Sequence, residues 1–107
     1  MKQSYYRVTV HVPEANADAV REAIGKVGGG KIGNYGFCSF STKGMGRFLP
    51  QEGAHPAIGD VGKLEEVVEE SIEFRCEESL LTSVIEAIKK AHPYEEPGIE
   101  IIQLINI

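Results

Sequence analysis

In YYRVTVHV, Tyr6, Val8, Val10 and Val12 alternate with Tyr5, Arg7, Thr9 and His11, a period of two that predicts a strand with one core face. Past Pro13 and Glu14 the period changes. Val20, Ile24 and Val27 recur at spacings of four and three within NADAVREAIGKV, which predicts an amphipathic helix. Gly28 stops it, because glycine accepts the left-handed conformation that closes a helix, and Gly29 and Gly30 let the chain turn back. FCSFST then reads as a second strand, with GMGRFL as its hairpin partner across Lys43 and Gly44. Residues 50–63, with two prolines, three glycines and no sustained period, form a long loop of the kind that often carries function.

A further strand follows in LEEVVEESIEFRCE. Leu64, Val68, Ile72, Phe74 and Cys76 share one parity, while Glu65, Glu69, Glu73 and Arg75 give the other a solvated or ion-paired character. A second helix, about Glu77 to Ala91, puts Leu81, Val84, Ile85 and Ile88 on one face. Glu77 and Glu78 in its first turn and Lys89 and Lys90 in its last oppose the helix dipole. Pro93 prevents continuation, and GIEIIQLINI is a final strand in which Ile99, Ile101, Ile105 and Ile107 alternate with Glu100, Ile102, Leu104 and Asn106.

This order predicts an α+β fold, a ferredoxin-like split βαβ sandwich with an extra β-hairpin, as one domain over residues 1–107. Two helices cover one sheet face. Tyr5, Val67, Ile102 and Leu104 fall on the other by parity, so that face is expected to be apolar and covered by further copies in a homo-oligomer, a trimer.

Composition narrows the partners. No stretch of 18 apolar residues occurs and MKQSYYRVTV lacks the pattern of a secretory signal, so no membrane partner and a cytoplasmic location are expected. A formal charge of −5 with 11 scattered basic residues argues against nucleic acid, whose affinity comes from clustered cations. Cys38 and Cys76, far apart and without close Cys or His partners, fit neither a disulfide framework nor a zinc knuckle, and both are expected to be reduced and partly buried.

Gly28, Gly30 and Gly33 spell a formal dinucleotide fingerprint, but a helix precedes it and a strand follows, the reverse of what phosphate binding at a helix N-terminus needs. Gly25, Gly30 and Lys31 approach a P-loop, with Ile32 where Ser or Thr should hold magnesium. A turn and helix cap is the favoured reading, with a looser ligand role left to Lys31, Asn34 and Tyr35. None of His11, His55 and His92 has another His at zinc-site spacing. His11 reads as a sheet residue, and His55, beside Pro56 in the long loop, is a loop anchor or a ligand group. In HPYEEP, His92, Glu95 and Glu96 offer an imidazole and two carboxylates to a divalent metal ion, with further ligands from a neighbouring subunit, and Tyr94 offers a ring with a polar tip. Helix termination accounts for the same residues without a metal. No catalytic residue can be assigned, since Cys38 has no His or Asp nearby in sequence.

HVPEANADAVREAI, GKIGNYGFCSFSTKGMGRF and GAHPAIGDVGKLE together closely resemble the inserted domain of the Nif-three-like, or YqfO, family across nearly the whole chain. The closing HPYEEP is similar to the CutA family. The resemblance implies a PII-like or CutA-like ferredoxin fold associating about a threefold axis. It also implies that the two flanking halves carrying a dinuclear metal site in full-length family members are absent from these residues, so the cyclohydrolase-like label does not transfer.

The expected function is a non-catalytic oligomeric binding or regulatory module, with small-anion, nucleotide or divalent-cation sites between subunits. The alternative is a protein-interaction or assembly domain, and a metal-dependent hydrolase stands third.

Overall fold

The computed structural model describes residues 4–105, so Asn106 and Ile107 of the expected last strand and the first three residues of MKQSYYRVTV lie outside it. Four strands, β1 (Tyr5–Pro13), β2 (Phe40–Phe48), β3 (Glu65–Glu77) and β4 (Gly98–Gln103), form one antiparallel sheet in the order β2-β3-β1-β4. Helices α1 (Ala17–Lys26) and α2 (Leu81–Ala91) follow β1 and β3, each entered through a single 3-10 turn. This is the predicted ferredoxin-like sandwich.

The core follows from two periods meeting. Val8, Val10 and Val12 of β1 and Ile72, Phe74 and Cys76 of β3 share one face, and Val8 stands opposite Phe74 and Val10 opposite Ile72. Ala17, Val20 and Ile24 of α1 and Val84 and Ile88 of α2 close over them. Arg21 ties the layers at the rim, donating from α1 to Glu70 on β3 and to Ser41 on β2.

The extra hairpin is absent. FSTKGMGRF runs straight as β2, and each of its residues pairs with β3, from Phe40 opposite Glu73 to Phe48 opposite Glu65. Lys43 and Gly44 lie within this ladder, and Gly44 is not among the glycines with positive φ that a tight hairpin turn requires. The expected strand start at Phe37 also shifts, because Phe37 has φ 56°, a left-handed value that ends regular extension before Phe40.

β3 is longer than either neighbour. Residues 69–77 pair with β1 and residues 65–73 with β2, so the two pairings overlap only in the middle of the strand. Residues 65–68 therefore overhang β1, and Val68 and Met45 on the helix side of that overhang are about half exposed.

The face away from the helices is less apolar than parity suggested. Tyr5, Val67 and Leu104 are half-buried and Ile102 is 51% exposed, but Arg7, Thr9, Glu73, Arg75 and Glu100 are interspersed among them by register. Arg75 lies over the Tyr5 ring, 5.5 Å from its centroid.

Because Ile72 is fully buried between two strands and two helices, Ile72→Ala should cost roughly 2–5 kcal/mol. Urea denaturation should show this as a lower midpoint with an unchanged slope.

Candidate functional site

The step in the sheet makes a recess. Where β1 reaches Pro13, opposite Glu69, its ladder stops and the chain turns into the first helix. Glu69 thus sits at the corner where β3 loses one neighbour and keeps the other. Around this corner, β2 residues 45–48, the loop residues Leu49, Pro50, Ala54 and Pro56 to Ile58, and the α2–β4 connection enclose a cavity of about 560 Å³. That volume suits a small organic ligand.

The α2–β4 connection is held by one imidazole. His92 is only 6% exposed. Its Nε2 donates to the carbonyl of His11 at 2.7 Å, and its Nδ1 accepts the backbone N–H of Tyr94 at 3.1 Å. These two bonds fix the neutral ring with its proton on Nε2. Burial lowers the His92 pKa, against the opposing pull of the His11 carbonyl and the charge of Glu69.

Held this way, Tyr94 meets the strand overhang. Its hydroxyl donates to Glu69 Oε2 at 2.7 Å, and its ring stands edge-on to Phe48 with centroids 5.6 Å apart. Burial first, then the hydrogen bond to Glu69, raises the Tyr94 pKa well beyond the ordinary tyrosine range. Glu69 itself is only 9% exposed. Its carboxylate lies across Gly46, where an added Cβ would push it aside, so the glycine lets the carboxylate rest against the strand. Among the described residues no buried side-chain oxygen or nitrogen lacks a hydrogen-bond partner, so Glu69 Oε1, which has no protein donor, is reached by solvent.

The expected site residues separate into two groups. Tyr94, Glu95 and Glu96 line this recess. His55 is exposed, and its backbone N–H donates to Glu95 Oε2 at 3.1 Å, so its observed role is to tie the long loop to the HPYEEP segment. Lys31, Asn34 and Tyr35 lie elsewhere, in a second recess of about 340 Å³ with Gly28, Gly29 and Phe37. Gly30 is hydrogen-bonded to Arg75, six residues along β3 from Glu69, which separates the two places by about 20 Å.

The expected metal ligands were His92, Glu95 and Glu96, with His92 as the imidazole. Both its ring nitrogens are already bonded, and among the described residues no three His, Cys, Asp or Glu side chains come together as a metal-binding group. The glycine turn likewise spends its donors internally. Gly28 N–H bonds Gly25 O, Gly29 N–H bonds Ile24 O and Gly30 N–H bonds Arg75 O, so these amides close α1 and dock the turn on β3 rather than facing a phosphate.

Sequence reasoning missed Glu69, which it placed on a solvated face, and with it Gly46 and Phe48. One signal was available: a lone glycine inside a strand marks a place where something approaches the backbone closely.

No family model matches the chain. A protein of Halalkalibacterium halodurans described as a GTP cyclohydrolase 1 type 2 homolog is 46% identical over 104 residues, which is 97% of this chain and 28% of that protein. A Bacillus subtilis protein of the same description is 44% identical over 95 residues, 89% of this chain and 26% of its own length. The crystal structure of a Bacillus cereus protein related to NIF3 superposes with a TM-score of 0.84 at 43% identity, covering 97% of this chain and 26% of that one. This chain is similar to one segment of the NIF3-related proteins. The chain spans about a quarter of the length of the curated relatives it matches. CutA1 from Pyrococcus horikoshii superposes with a TM-score of 0.69 at 20% identity, covering 95% of this chain and 85% of that one, and so shares the fold. Among the described residues no helix is long and apolar enough to cross a membrane.

His92 gives the site a pH signature. Its folded pKa lies below the unfolded value of about 6.5, so between the two the unfolded chain binds a proton that the folded chain does not. The stabilisation is therefore complete above pH ~6.5 and is lost as pH falls through the folded value. Urea titrations across that window should show a steeper loss for the parent chain than for His92→Gln, which keeps a donor and an acceptor but does not titrate.

Proposed function

We propose that residues 1–107 act as one non-catalytic binding or regulatory domain, with the recess around Glu69 and Tyr94 as its ligand site. The observation that carries this is a built cavity whose polar groups are positioned by buried bonds, the His92 clamp behind and the Tyr94–Glu69 bond within. The cyclohydrolase description belongs to relatives roughly three and a half times as long.

The domain also works as a homo-oligomer, a trimer, in the cytoplasm. Support for the assembly comes from apolar side chains left on the sheet face away from the helices, Phe40 at 67% exposed and Ile102 at 51%. Light scattering at micromolar concentration should return the mass of three chains, and a monomer there overturns the assembly.

A ligand selective for the folded state raises apparent stability, by about 2.7 kcal/mol at a hundred times its Kd. In a domain of this size that is a Tm rise on the order of 10 °C. A panel of divalent cations, nucleotides, amines and small carboxylates should contain at least one compound with such an effect. Ala57→Trp, which fills the recess from its loop wall, should abolish it. A panel without any shift overturns the ligand site.

A further inference from the structure

The lining of the recess has a sign. Glu69, Glu95 and Glu96 contribute three carboxylates, and the one Lys or Arg on the wall, Arg47, is paired with Glu66 through Nε at 3.2 Å. Anions and nucleotides therefore meet repulsion without a free cation to offset it. Glu69 is the decisive group. One oxygen holds the Tyr94 hydroxyl, and the other lies beside Gly46, where it has no protein donor and is reached by solvent. The charge therefore stays open to a cationic donor that displaces water from that oxygen, on a residue otherwise 9% exposed. Phe48 and Tyr94 add aromatic rings, and Leu49, Pro50, Pro56 and Ile58 add apolar wall.

We infer that the recess binds a small organic cation, a primary amine or guanidinium on a short apolar body, with its charged head on Glu69 Oε1 and its body against Phe48 and the 49–58 loop. The inference rests on the ligand-site reading above and gives that site its ligand class. Three features separate this ligand from a metal ion. The carboxylates do not gather with a third ligand into a metal-binding group, the walls are largely apolar, and the aromatic rings favour a weakly hydrated cation. The negative charge of the whole chain assists its approach.

Isothermal titration of the full chain with putrescine, agmatine and tyramine tests it, alongside the uncharged diol of putrescine's chain length, magnesium and zinc salts, and GTP. At least one amine should bind where the diol, the metals and GTP do not. Glu69→Gln keeps an acceptor for Tyr94 and should weaken that amine by about tenfold or more, the loss expected for a charged hydrogen bond. Phe48→Leu, at the wall and away from the buried core, should weaken it severalfold, with circular dichroism checking that both variants fold. Equal amine affinity in the parent chain and Glu69→Gln overturns the inference. So does GTP or a metal binding in place of amines with loss in Ala57→Trp, which leaves the ligand-site reading standing. Binding by nothing in the panel overturns both.

Discussion

The offset pairing of β3 is the constraint from which the rest of the structure follows. A strand of 13 residues cannot be matched along its whole length by β1, which ends where Pro13 removes a ladder donor and hands the chain to α1. β2 continues the pairing past that point, so the sheet is four strands wide only around residues 71–73 of β3 and narrows to a two-stranded ribbon beyond Glu69. A two-stranded ribbon is weakly stable by itself. Here it is braced by the loop after β2 and by Tyr94 reaching across from the α2–β4 connection. The recess is the space between the ribbon and its braces.

Much of this was legible in the sequence, for a physical reason. Strands and helices with one buried face write their period into the chain, and Val8 to Val12, Val20 and Ile24, Ile72 to Cys76, and Val84 and Ile88 all lie buried as their spacing required. The overhang was not legible. Away from the core, parity no longer reports burial, so Val68 is half exposed on the core parity while Glu69 is buried on the wet one. The hairpin error has the same root. Lys43 and Gly44 look like a turn because glycine permits one, but β3 extends far enough to pair with every residue on both sides of them, and a straight strand keeps hydrogen bonds that a turn would give up.

HPYEEP shows how boundary chemistry and site chemistry become one thing. Pro93 ends α2, and the imidazole before it holds the new chain direction by bonding β1 on one side and Tyr94 on the other. A residue that sequence reasoning offered to a metal is thus committed to position, and the hydroxyl it positions reaches the buried carboxylate. Resemblance to the NIF3-related segment and to CutA agreed on the fold.

The positioning of Tyr94 and Glu69 bears on how the segment relates to its longer relatives. A site whose geometry depended on the other three-quarters of those proteins, or on a second copy, would leave its polar groups loosely held in the chain alone. Here the clamp and the acceptor are bonded to residues of the same domain, Tyr94 through His92 to His11 and Glu69 through Tyr94, with Gly46 making the room. Rigidity supplied from within lowers the ordering cost of binding wherever the segment is found.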